Sequence, residues 1–208
     1  MCGPEGVTPT PAENPDQGTG RREFLARSLA IGAAGALAAD FMPMRPAAAS
    51  TRRRVAVPQP AITARAEWGS TLRPTGAIPP EEVKFLIVHH TLEPGSDYAV
   101  GDVARLLGGI YDYHTRSKGW PDVAYNLFVD RFGGIWEGRT GSIAGPVRGD
   151  ATGGNQGYTQ LCCFIGDHRV DAPTPEAQSS MVSLLAWLAD RYHVDTTPGA
   201  TVRFVSRG

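Results

Sequence analysis

The chain has 208 residues, of which 41% are hydrophobic and 20% charged, with a formal net charge of -1. That is enough apolar content for the core of one globular domain and too little net charge for a disordered chain. From Ser50 onward acidic and basic side chains balance, so the basic face that nucleic-acid binding calls for is missing.

The first 49 residues read as an export signal. A polar stretch rich in Pro and Gly leads into Arg21-Arg22-Glu23-Phe24-Leu25, then a small-residue apolar run from Leu29 to Ala39, then Ala47-Ala48-Ala49. This is a twin-arginine pattern with cleavage expected near Ala49. The apolar run falls short of the roughly 18 residues that span a bilayer, so no integral membrane segment is expected in the mature chain. Residues 50–61, with Arg52-Arg53-Arg54, Pro58 and Pro60, keep no apolar period and read as a solvated linker. A single domain is expected over 62–208.

Val83 to His90 is a continuous apolar run and predicts a buried strand. From Val100 to His114, Val103, Leu107, Ile110 and His114 share one helical stripe. Gly119 to Asn126 is expected as a second, aromatic strand. Ala124 to Asp130 and Ile135 to Arg139 predict a hairpin across Arg131-Phe132-Gly133-Gly134, whose glycines supply positive φ. Gly141 to Tyr158 is rich in glycine and predicts a surface loop near the cleft. Leu161 to Ile165 predicts another buried strand. Thr174 is placed to cap a helix that starts at Pro175 and buries Ala177, Met181, Leu184, Leu188 and Tyr192. Cys162 and Cys163 are neighbours on a strand and point to opposite faces, which predicts two buried thiols and no disulfide.

The chemistry gathers at the end of the first strand. Apolar residues fix its backbone and leave His89 and His90 at its exit, and imidazole nitrogen is a preferred zinc ligand. A strand-end histidine also serves well in a core hydrogen bond, and His114, on an apolar stripe, has the same two uses open to it.

Five ordered blocks carry a resemblance. Ile62-Thr63-Ala64-Arg65-Ala66-Glu67-Trp68-Gly69 comes first, then Ile87-Val88-His89-His90-Thr91 and Tyr113-His114. Gly119-Trp120-Pro121-Asp122-Val123-Ala124-Tyr125-Asn126 and Gly134-Ile135-Trp136-Glu137-Gly138-Arg139 complete the set. Together they resemble the peptidoglycan recognition protein family and its zinc-dependent N-acetylmuramoyl-L-alanine amidases, the amidase type 2 domain. The resemblance implies an α/β fold, a mixed central β-sheet flanked by helices. It implies Zn2+ as cofactor with His89 as a ligand, and Tyr125 as the catalytic donor to the developing oxyanion. It implies peptidoglycan, or its muramyl peptides, as partner, met outside the cell. His90 at the cleft rim, His114 at the groove floor and Asn155 are the candidate substrate contacts. Trp120 is expected to bury its ring under the site, and Arg139 to serve structure.

Two departures qualify what it implies. Around Ala144-Gly145-Pro146 the loop leaves the family pattern, which weakens the case for Asn155. The family completes its zinc site with a later histidine and cysteine, and the chain stops at Phe204-Val205-Ser206-Arg207-Gly208, so a domain truncated at its C-terminus is expected. Alternatives to hydrolysis are a non-catalytic peptidoglycan-binding module and a fragment that does not fold.

Overall fold

A computed structural model describes residues 55–151 and 157–206. The expected signal segment, the arginine triplet and Asn155 lie outside the described residues. In order come α1 (Arg65–Trp68), β1 (Phe85–His90), a 3-10 turn (Val100–Asp102), α2 (Val103–Asp112) and a π turn (Tyr113–Ser117). β2 (Leu127–Val129), β3 (Ile135–Glu137), β4 (Thr159–Phe164) and α3 (Pro175–Tyr192) follow. The strands form one sheet in the order β1-β4-β2-β3, in which β1 and β2 run parallel to β4 and β3 antiparallel to β2. This is the expected α/β domain with a mixed sheet between helices.

Because side chains alternate along a strand, each strand feeds both faces of the sheet. Leu127, Val129 and Cys162 meet Ala177, Met181, Leu184, Trp187 and Leu188 of α3 on one face. Phe128, Cys163 and Ile165 meet Val103, Leu107, Ile110 and Tyr111 of α2 on the other. The adjacent cysteines therefore belong to different cores, and both are free thiols. Each large side chain so buried contributes about 1.5–3 kcal/mol.

α3 starts where its sequence says. The Thr174 side chain accepts a hydrogen bond from Ala177 N at 3.1 Å, and Pro175 occupies the first helical position, where its missing N–H costs nothing. The predicted stripe of α2 is buried throughout, from Val103 and Leu107 to Ile110 and His114. Its end differs from expectation: the helix widens into the π turn, with Lys118 N donating to Tyr113 O, so His114 sits on an irregular turn.

The hairpin forms around Gly133, at φ +86°, a conformation favoured by glycine. β1, expected to be buried, is the edge strand of the described sheet and only half-buried, with Val88 45% exposed. Nor are residues 119–126 a strand: Val123 N donates to Asp122 Oδ1 and Ala124 N to His114 Nδ1, and the strand that follows starts at Leu127. Residues 141–151 form a loop, as expected, but a firmly tied one. Asn126 Nδ2 donates to Ser142 Oγ and Val147 O, Arg191 donates to the carbonyls of Ile143 and Ala144, and Ser142 is fully buried. The glycine content serves close packing here, for a Cβ on Gly149 would lie 2.5 Å from Leu161 Cδ1 and 2.7 Å from Ala124 O.

Candidate functional site

The site lies on the α2 face of the sheet. Parallel register sets His89 of β1 beside Cys163 of β4, which in turn stands beside Phe128 of β2. Residues paired across a sheet point the same way, so these three side chains form a row. Over the row lies Tyr125, its ring 5.6 Å from His89, 5.7 Å from His114 and 5.5 Å edge-on from Phe128. His114 in turn meets the Trp120 ring, tilted by 51°, at 4.9 Å. His89, Tyr125 and His114 are thus brought together; Trp120 lies against His114 but is half-exposed, not buried under the site as expected.

His90 is not part of that grouping. As the next residue on β1 it turns to the opposite face, where its Nδ1 accepts from His168 N at 3.0 Å and stands 3.9 Å from Asp167 Oδ1.

Burial sets the protonation of the cluster. The His89 imidazole is pushed below its ordinary pKa by desolvation and then by its neighbour His90. Desolvation, with help from Lys118 and Arg139, pulls His114 down to about 4, against which Asp150 and Asp122 act weakly. The Tyr125 hydroxyl is raised well above its usual range, first by desolvation and then by its neighbour Cys163. At neutral pH the site therefore offers two neutral imidazoles and a phenol that keeps its proton.

A buried frame, whose members the sequence did not mark as functional, holds Tyr125 in place. The Arg65 guanidinium is 5% exposed and lies 4.6 Å from the Trp68 ring and 5.2 Å from that of Tyr111. It donates to Gly138 O and, at 2.9 Å, to Asp122 Oδ1. Asp122 is fully buried, and its other oxygen accepts from Thr140 N at 2.9 Å. Arg139, 1% exposed, donates to Val123 O at 3.0 Å and pairs with Asp150 at 2.6 Å. The structural role expected for Arg139 is the one it fills. Sequence offered one clue to the frame: arginine and aspartate inside otherwise aromatic blocks bury well only as a pair.

Residues 79–205 match the family model described as N-acetylmuramoyl-L-alanine amidase. The chain belongs to the peptidoglycan recognition protein and amidase type 2 family. Among relatives of this family member, peptidoglycan-recognition protein LE of Drosophila melanogaster is 31% identical over 117 residues, covering 55% of this chain and 32% of that protein. Peptidoglycan-recognition protein LB of the same organism is 23% identical over 137 residues, covering 64% of this chain and 56% of that one. The match therefore spans about half of one relative's length and a third of the other's. The fold agrees with solved structures of the family. Drosophila PGRP-LB superposes with a TM-score of 0.57 at 22% identity, covering 65% of this chain and 78% of that chain. Peptidoglycan recognition protein-LE in complex with tracheal cytotoxin, a monomeric diaminopimelic acid-type peptidoglycan, superposes with a TM-score of 0.58 at 29% identity, covering 65% and 78%.

Zinc is the family's implied cofactor. Among the described residues no three His, Cys, Asp or Glu side chains stand together to hold a metal ion, and zinc needs at least three protein ligands. Cys163 is the nearest soft donor in register with His89, but burial holds it as a thiol, well above its ordinary pKa, and the thiolate is the ligand form. The described residues alone do not fit zinc.

Proposed function

We propose that this domain binds the muramyl-peptide stem of peptidoglycan and hydrolyses the amide between the lactyl group of N-acetylmuramic acid and L-alanine. The observation that carries the proposal is the contact of the Tyr125 ring with both His89 and His114 in a chain whose residues 79–205 match the amidase family. In this reading the substrate carbonyl lies against the Tyr125 hydroxyl. Because that phenol keeps its proton at neutral pH, it donates to the oxygen on which negative charge develops as water attacks. The neutral imidazole of His114 offers the stem a hydrogen-bond partner without bringing a buried charge to be desolvated. His89 is proposed as the residue that faces a metal. Peptidoglycan lies outside the cytoplasmic membrane, so the proposal includes export by the twin-arginine route for which Arg21-Arg22 would serve.

A second reading, binding without cleavage, is favoured by one observation: the described residues hold no group of three metal-ligating side chains. Incubation of the purified protein with muramyl peptides and added zinc, followed by mass spectrometry, separates the two. Release of the free stem peptide supports hydrolysis. Saturable binding without release supports the module, and neither result would end both.

A further inference from the structure

Around Tyr125 the backbone from Val123 to Asn126 is tied by a series of hydrogen bonds. Val123 N donates to Asp122 Oδ1 at 2.7 Å and Val123 O accepts from Arg139 Nη1 at 3.0 Å. Ala124 N donates to His114 Nδ1 at 3.1 Å, and Ala124 O accepts from Asp150 N at 3.2 Å. Tyr125 O accepts from Arg139 N at 2.8 Å, and Asn126 N donates to Leu161 O at 2.9 Å.

One of these bonds decides the state of an imidazole. A backbone N–H can only donate, so the nitrogen that receives it, His114 Nδ1, carries a lone pair and no proton. A neutral imidazole has one N–H, which is then on Nε2. No hydrogen bond among the described residues engages Nε2. The bond exists only while Ala124 N–H is aimed at the ring, and the aim is set one peptide earlier. There Asp122 Oδ1 holds Val123 N while Arg65 and Thr140 N hold the carboxylate itself.

We propose that Asp122 is a positioning residue for His114: clamped by Arg65, it orients the Val123-Ala124 turn so that Ala124 N–H locks His114 as a fixed Nε2–H donor. His114 then accepts nothing from a ligand and takes no proton through Nε2. The stem atom seated against it is an acceptor, a carbonyl or carboxylate oxygen. Only the identity of the ligand rests on the proposed function; the lock itself does not.

Nitrogen NMR of the 15N-histidine-labelled protein reads the tautomer directly, with His114→Gln assigning the signal. The wild-type protein near pH 7 should give a pyridine-like Nδ1 and a pyrrole-like Nε2 at His114, with a through-hydrogen-bond coupling from the Ala124 amide to Nδ1. Asp122→Asn presents an amide N–H where one of the carboxylate's donors must bind. It should average the two tautomers and weaken muramyl dipeptide binding about tenfold, the size of one hydrogen bond. Leu188→Ala, which destabilises the far side of the sheet, should leave the signature unchanged, so general loss of stability is told apart from loss of aim. A protonated Nδ1 in the wild-type protein, or no coupling from Ala124, overturns the proposal even if Asp122→Asn fails to fold. So does an Asp122→Asn protein that keeps the single tautomer. An intact signature in a wild-type protein that does not bind muramyl dipeptide upholds the lock and overturns the ligand assignment.

Discussion

The two faces of the sheet use the same strands for different ends. Beneath α3 the contacts are almost wholly apolar, Leu127, Val129 and Cys162 against Met181, Leu184 and Leu188. Beneath α2 a similar apolar base, Phe128 and Cys163 against Leu107 and Ile110, supports His89, Tyr125 and His114, with the buried Arg65–Asp122 pair alongside. Apolar packing supplies free energy without direction, whereas buried polar groups must each find a partner and so fix geometry. The α3 face therefore sets how stable the domain is, and the α2 face sets where its chemistry lies.

The largest expected effect should fall on the α3 face and leave chemistry alone. Leu188 is fully buried, and Leu188→Ala should cost about 2–5 kcal/mol of unfolding free energy in urea titrations. Muramyl-peptide binding by the molecules that remain folded should be unchanged; a parallel loss of intrinsic affinity would break the division. Tyr125→Phe should do the reverse. If the proposed hydrolysis holds, removing one donor to the oxyanion should lower kcat by about 10²-fold. The urea midpoint should scarcely move, because the ring still packs on His89, His114 and Phe128. Undiminished turnover in this variant would remove Tyr125 from the chemistry.

The same division explains what could be read from the sequence. Periodicity reports burial, so the α3 face was legible almost to the residue: the Thr174 cap, Pro175, and the stripe Ala177, Met181, Leu184 and Leu188 stand where the pattern puts them. On the α2 face the stripe through His114 was legible. The 119–126 segment was misread as a strand because aromatic and β-branched residues suit strands, while the partners that claim its amides, Asp122 and His114, leave no periodic trace. The register that sets Cys163 beside His89 depends on a crossover between strands about seventy residues apart, and no local signal encodes it.

A pH titration sharpens the comparison at intermediate size. His114 has a folded pKa of about 4 against an ordinary 6.5, chiefly from desolvation. Between these values the unfolded chain binds the proton and the folded one does not, so stability should rise with pH across that window and fall as pH drops from 6.5 toward 4. His89, also lowered, adds in the same direction. His114→Gln should flatten part of the slope measured by urea midpoints. An unchanged slope would place the acid sensitivity elsewhere.

The smallest effect returns to the α3 face, at its edge. Thr174 Oγ1 accepts from Ala177 N at 3.1 Å and donates to Arg131 O at 2.6 Å, so one hydroxyl caps α3 and ties it to the β2–β3 turn. Thr174→Ala should cost about 1 kcal/mol if the cap dominates, and nearer 2 if the tie adds to it. Thr174→Ser retains the hydroxyl and should recover most of the loss, which assigns the effect to the hydrogen bonds and not to the lost methyl. The neighbouring peptide belongs to Asp130, whose carboxylate accepts from Phe132 N, Gly134 N and Trp136 Nε1 and holds the turn independently. The loss should therefore stay at the helix end, readable as faster amide exchange in the first turn of α3, with the His114 tautomer and muramyl-peptide affinity unaltered. Spread of the exchange effect to Ala124 would mean that the two faces are coupled through the hairpin and that the division between them is incomplete.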